Sequence, residues 1–291
     1  MRAELPIHCR QAGAAVAFET AVLTSGLPDH ARFEAVQRIT GAVRSRDIEP
    51  AFIGVLAGQP TVGLHSDELE QLFEKGRKLS TRDLPAAVAR GEHGGTTVAA
   101  TIFLAHRVGL RVAATGGIGG VHSTTGALDI SADLFELART PIMLVCSGAK
   151  AIVDLPATLE RLETLGVTVV GFQSTELPAF YSAESGLSVD LVAASTKEVI
   201  EVWRAARELE TPGAILVCVP PPSDVALSRK DMEAAVSRAL SDLDMAGISG
   251  PAVTPYLLDR IAHHTDGRSL AANLGLLENN AGVAAEIAKL L

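Results

Sequence analysis

The chain has 291 residues, 47% of them apolar and 20% charged, which suits one large domain with a sizeable buried core, here taken as 1–291. A formal charge of −9 and a pI near 5.4, with no basic tail or patch, argue against nucleic acid as the main partner. There is no apolar run of about eighteen residues and no signal-like start, so no membrane partner is expected and the expected compartment is the cytoplasm.

Residues 14–18 read as a buried strand ending in Glu19-Thr20, and a helix over 31–46 follows Pro28. A carboxylate directly after a buried strand is costly unless it is paired or used. Glu19 is therefore a catalytic candidate, with capping or ion pairing as the alternative. Segments 51–56 and 60–64 flank Ala57-Gly58-Gln59 as a hairpin, and Ser66 caps an acidic-first helix that runs towards Lys75, Arg77 and Lys78. Lys78 lies in the polar connection KLSTRD, before a helix over 84–89, as a candidate phosphate contact. Glu92-His93-Gly94-Gly95 leads into a small-residue helix beginning at Thr96 and Thr97, hydroxyls that would cap the helix or bond a ligand.

The densest chemistry lies between 112 and 154. Apolar runs at 112–114 and 142–146 read as buried strands. The first opens into Thr115-Gly116-Gly117-Ile118-Gly119-Gly120, whose glycines allow close backbone approach and N–H groups facing an anion, with His122 just beyond. Its spacing is neither the dinucleotide fingerprint nor a P-loop. The second run ends at Ser147-Gly148-Ala149-Lys150, which sets a lysine at the mouth of a sheet, where α/β proteins bind ligands. Between them Asp129 and Asp133 would share the first turn of a helix over 130–138, as cap, dipole partner or metal carboxylate. Together these features suggest an enzyme acting on a phosphorylated small molecule.

A helix over 154–165, a strand over 168–172 and a strand over 214–219 continue the alternation, favouring an α/β fold, a three-layer α/β/α sandwich with a mostly parallel or mixed central sheet. Phe180 and Tyr181 sit in a polar loop, either lining a pocket or pinning the loop. Pro220-Pro221-Pro222 ends the last strand, and helices over 228–245, 254–264 and 269–291 follow. His263 and His264 read as surface residues. Asn273, Asn279 and Asn280 are unusual in a helix, because asparagine competes with the backbone, and at least one of them would face the site. Cys146 and Cys218 read as packed thiols, and the three cysteines lack metal spacing.

Read together, Glu19, TGGIGGVH, DISADL, GAK and QSTELPAFY closely resemble the pseudouridine-5′-phosphate glycosidase family, which includes indigoidine synthase A-like proteins, over about residues 15–287. The resemblance implies an α/β/α fold, a homotrimer, a divalent metal, usually manganese, and reversible cleavage of the carbon–carbon bond between uracil and ribose 5-phosphate. By motif it makes Lys150 the amine that attacks C1 of ribose, Glu19 the acid that helps open the ring and Asp133 the metal ligand, largely through waters. Lys78, Thr97, Thr115, His122, Ser131 and Asn273 match positions around ribose phosphate or base. The chemistry supports these roles independently: a C-glycoside has no heteroatom leaving group that one proton releases, whereas a lysine imine supplies an electron sink.

Three segments depart from the family pattern. Ser25 stands where ESTIxxHG has histidine; the stretch 120–129 is one residue shorter than the matching GVHRGAxxTFD and lacks its arginine; and Cys218-Val219-Pro220-Pro221-Pro222-Ser223 loses the asparagine and glutamate of ANPIPE. Loss of polar partners to the base, with apolar Leu128 and Val219, suits an electron-rich aromatic acceptor, as in a C-glycosynthase branch of the family. A non-catalytic sugar-phosphate-binding protein is the third alternative, disfavoured by retention of both Glu19 and Lys150.

Overall fold

The structure is a computed structural model that describes residues 7–11, 13–122, 129–248 and 253–291. The first third supplies β1 (His8–Cys9), β2 (Ala15–Phe18), α1 (Asp29–Arg44), β3 (Glu49–Leu56), β4 (Gln59–Val62), α2 (Ser66–Lys75) and β5 (Arg77–Leu79). Next come α3 (Leu84–Arg90), β6 (Gly94–Thr96), α4 (Val98–Arg107), β7 (Val112–Ala114), β8 (Val121–His122), β9 (Asp129–Ile130), α5 (Ala132–Arg139) and β10 (Met143–Cys146). The last half adds α6 (Leu155–Thr164), β11 (Thr168–Phe172), β12 (Leu191–Ala193), α7 (Thr196–Glu208), β13 (Ile215–Cys218), α8 (Arg229–Ala246), α9 (Val253–His264) and α10 (Arg268–Lys289).

Nine strands follow one path across the main sheet, β1-β4-β3-β2-β7-β10-β13-β11-β12, and β6 and β5 branch from β3. From β3 to β12 every neighbour on that path is parallel, while β4 and β6 run antiparallel to β3. Parallel strands need cover on both faces, which is why β10 and β13 read as unbroken apolar runs. Alternate side chains divide between two cores: Met143, Val145, Ile215 and Val217 pack with Ile39, Trp203 and Leu277, whereas Leu144, Cys146, Leu216 and Cys218 pack with Ile102, Leu134 and Leu162. Helices α1, α7 and α10 therefore cover one face and α4, α5 and α6 the other, which is the expected three-layer α/β/α sandwich. Among the described residues, no helix is long and apolar enough to cross a membrane.

Several boundaries differ from the sequence reading. Helix α1 starts at Asp29, directly after Pro28, whose extended backbone (φ −64°, ψ 151°) forms the N-cap. Lys78 belongs to β5, and Gly94–Thr96 forms β6 beside it, so the expected loop and helix start are a two-strand ladder. Asp129 does not cap a helix or share its first turn with Asp133. It pairs with His122 in the β8–β9 ladder, and Ser131 is the N-cap of α5, its hydroxyl accepting from the Asp133 N–H at 3.2 Å. Helix α6, read over 154–165, instead has Asp154 as its N-cap and runs Leu155–Thr164. His264 is not a free surface residue, because its Nε2 lies 2.7 Å from Asp242 Oδ2, which also accepts from Arg260 Nε at 2.8 Å.

Candidate active site

Strands β2, β7 and β10 lie side by side in parallel, with Phe18 opposite Ala114 and Ala114 opposite Val145. Their C-terminal ends thus bring Glu19, Thr115 and the Ser147–Lys150 segment to one edge, outside the carboxyl ends of parallel strands, where such folds bind ligands. Glu19 is buried and accepts a hydrogen bond from the Thr115 hydroxyl at 2.5 Å. Burial pushes its carboxyl above the ordinary range; Lys150, the Thr115 bond and Lys78 oppose the rise, and Asp133 adds to it. Lys78, reaching the same region from β5, is drawn below the usual lysine range, first by burial and then by the charge of Lys150, against the pull of Glu19 and Asp133. His122 is half-buried, and burial lowers its pKa; Asp129 opposes this, while Lys150 and Lys78 reinforce it. Three carboxylates (Glu19, Asp129 and Asp133), two lysines and a histidine therefore share one electrostatic neighbourhood.

The two strand-end loops are stitched together by backbone. Ser147 N–H donates to Gly116 O at 2.8 Å, Ile118 N–H to Gly148 O at 3.1 Å and Lys150 N–H to Ile118 O at 2.9 Å. Gly119 N–H donates to Asp133 Oδ2 at 2.8 Å. Two successive N–H groups of the glycine loop, those of Ile118 and Gly119, are thus bonded inside the protein and do not face a ligand anion. The glycines serve close packing instead, since a Cβ on Gly117 would strike the Phe180 ring. Phe180 and Tyr181 are both buried, and Phe180 adopts φ +62° with its N–H bonded to Ser147 O at 2.9 Å. Left-handed backbone at an aromatic residue costs about 1–3 kcal/mol and persists where the surroundings over-determine it. Phe180 accordingly pins the glycine loop.

Thr97 caps α4, its hydroxyl accepting from Ala100 N–H at 3.5 Å, and it is nearly buried beside β5, with its own N–H on Leu79 O at 2.9 Å. Thr96 is fully buried and bonded to Ile53 O and Thr101. Asn273, on α10, is buried, and its Oδ1 has no hydrogen-bond partner among the described residues. That oxygen would lie 3.5 Å from a Cβ on Gly116, so it faces the glycine loop. A buried acceptor left unpaired is destabilising by about 1–3 kcal/mol, which a ligand donor would recover. A cleft of about 660 Å³ opens beside Lys150, between Ala149, Val153 and Leu187 on one side and Met232 and Val236 of α8 on the other.

Of the residues that depart from the family pattern, Ser25 lies in the turn Val22–Gly26, its hydroxyl 3.3 Å from that of Thr24, and Val219 packs in the core with Phe180 and Leu276. Leu128 lies outside the described residues.

Asp133 is the candidate cation ligand. It is buried; Oδ1 accepts from Ala99 N–H at 2.9 Å and Oδ2 from Gly119 N–H at 2.8 Å. Each oxygen keeps a second acceptor position. Among the described residues no cluster of three or more His, Cys, Asp or Glu side chains is placed to share a metal. That donor set fits a hard divalent ion held by one carboxylate and several waters, and it does not fit a metal caged by protein ligands.

The chain matches the family model described as indigoidine synthase A like protein over residues 7–290. It is 48% identical to a pseudouridine-5′-phosphate glycosidase of Chloroflexus aurantiacus, across 98% of this chain and 96% of that protein. To the pseudouridine-5′-phosphate glycosidase of Gemmatimonas aurantiaca it is 49% identical, across 94% of this chain and 90% of that one. The crystal structure of an indigoidine synthase A-like protein from Thermotoga maritima matches with a TM-score of 0.93 at 37% identity, covering 100% of this chain and 98% of that one. A prealnumycin C-glycosynthase, solved in complex with ribulose 5-phosphate, matches with a TM-score of 0.86 at 36% identity, covering 94% and 90%.

Proposed function

Because the chain belongs to the indigoidine synthase A-like protein family, we propose that it is a C-glycosidase that reversibly breaks and forms the carbon–carbon bond between uracil and ribose 5-phosphate. The observation that carries this reading is a buried carboxyl, raised by burial and held by Thr115, in the field of Lys150 from the end of β10, two strands away. A general acid is most effective when its pKa lies near the working pH, and burial moves Glu19 in that direction.

In the cleavage direction Lys150 Nζ forms a bond to C1 of the sugar as the C1–O4 bond breaks, and Glu19 gives its proton to O4. The nitrogen lone pair then makes the imine while the bond from C1 to the base carbon breaks, and that carbon takes up a proton. Water hydrolyses the imine, returning free Lys150 and ribose 5-phosphate. Lys78, His122, Thr97, Ser131 and Asn273 bind the phosphate and the sugar or base oxygens. Asp133 would hold a divalent ion, manganese on the family's habit, and such an ion supplies positive charge that polarises ligand oxygens. A homotrimer working in the cytoplasm belongs to the same reading.

A second reading has the same lysine joining ribose 5-phosphate to an electron-rich aromatic. The similarity to a C-glycosynthase favours it. Comparing kcat/KM for pseudouridine 5′-phosphate with transfer to a panel of hydroxyaromatics separates the two.

The covalent step has a direct test. Incubation with ribose 5-phosphate, borohydride reduction and peptide mapping should place the added mass on Lys150. A label on another lysine, with full turnover by Lys150→Ala, would remove the proposed mechanism.

A further inference from the structure

Asn280 lies seven residues after Asn273 on α10, two helical turns along the same face, and is completely buried. An asparagine inside a long helix is less favourable than alanine, and burying its amide is costlier still unless every polar atom is paired. Its partners are narrowly distributed. Asn280 Nδ2 donates to Thr115 O at 2.9 Å and to Ser147 Oγ at 3.1 Å, with Gly116 O more distant at 3.5 Å. The Ser147 hydroxyl donates in turn to Asn280 Oδ1 at 3.3 Å. One side chain therefore joins the loops that leave β7 and β10. Each loop carries part of the proposed chemistry: the Thr115 hydroxyl bonds Glu19, and Ser147 stands three residues before Lys150.

We infer that Asn280 is a positioning residue, which fixes the spacing of the two strand-end loops so that the Glu19 carboxyl and the Lys150 amine address one sugar ring. It touches neither the substrate nor the reacting atoms. This rests on the proposed function, because only a reaction needing both groups at once is sensitive to that spacing. Small misplacements are enough to matter, since an error of about 1 Å in the relation of reacting groups costs on the order of 100-fold in rate.

Three measurements test the inference in the full-length protein. Folded Asn280→Ala should lose about 10- to 100-fold in kcat on pseudouridine 5′-phosphate with KM within about twofold, since binding groups stay in place while the acid and amine lose their spacing. Independently of turnover, the Glu19 carboxyl band in the infrared, assigned by its disappearance in Glu19→Gln, should shift in Asn280→Ala as the Thr115 bond loosens. If Asn280→Ala does not fold, Ser147→Ala, which deletes one hydroxyl, should show the same kcat-selective loss at smaller amplitude. A folded variant with wild-type kcat and an unmoved Glu19 band would overturn the inference, as would a loss confined to melting temperature. If wild-type protein itself turns over no pseudouridine 5′-phosphate, the proposed function fails while the infrared band still decides the positioning role.

Discussion

Burial raises the Glu19 carboxyl, and three groups moderate the rise: Lys150, the Thr115 hydroxyl and Lys78. A carboxyl whose folded pKa lies above its unfolded value contributes stability below that unfolded value, near 4.5, and loses it as pH climbs through the folded value. Glu19→Gln removes the ionisation, so the variant should gain stability relative to wild type as pH rises above 4.5, read as a melting-temperature difference that opens with pH. Its turnover should fall by about 100-fold or more, the usual contribution of a general acid. A difference that stays constant across that range would contradict the buried-acid account. Glu19 and Lys150 were legible in the sequence because polar residues directly after apolar runs stand out. Asp129 was misread because nothing local separates it from Ser131 as a helix cap. The orientation of Phe180 had no sequence signal, since it depends on backbone bonding to Ser147.

The SGAK segment shows how an element positions its lysine. Gly148 has φ +76°, and a Cβ there would collide with the Pro178 carbonyl. Gly148→Ala should therefore destabilise the protein by about 1–3 kcal/mol, read by denaturant midpoint, and cut kcat more than proportionally because Lys150 follows two residues later. Wild-type stability and rate would show that the loop tolerates a side chain at that point. The parallel strands β2, β7, β10, β11 and β13 were visible as apolar runs bounded by turn residues. The ladders β5–β6 and β8–β9 were not, because strands of two or three residues, rich in Gly, Thr or charge, carry no alternation to read. Strand β12 and helix α7 were also passed over, although Val199, Ile200, Trp203 and Ala206 recur at helical spacing on the buried face of α7.

At the scale of the whole molecule, the sandwich aligns three strand ends so that residues far apart in sequence meet. Thr115 Oγ1 bonds a carboxyl 96 positions away, and the Asn280 amide bonds a carbonyl 165 positions away. Motif order could not supply those distances; the parallel register of β2, β7 and β10 does. The same arrangement explains why the carboxyl and the amine remain electrostatically coupled although different β-strands deliver them. The proposed lysine chemistry is decided by steady-state release of uracil from pseudouridine 5′-phosphate, with Mn²⁺ present, by wild type and by Lys150→Ala. Wild type should show kcat/KM on the order of 10⁴ M⁻¹s⁻¹ or above, ordinary for an enzyme on its own substrate, and the variant should lose turnover. No uracil released by folded wild-type protein, or equal rates from the two proteins, would contradict it.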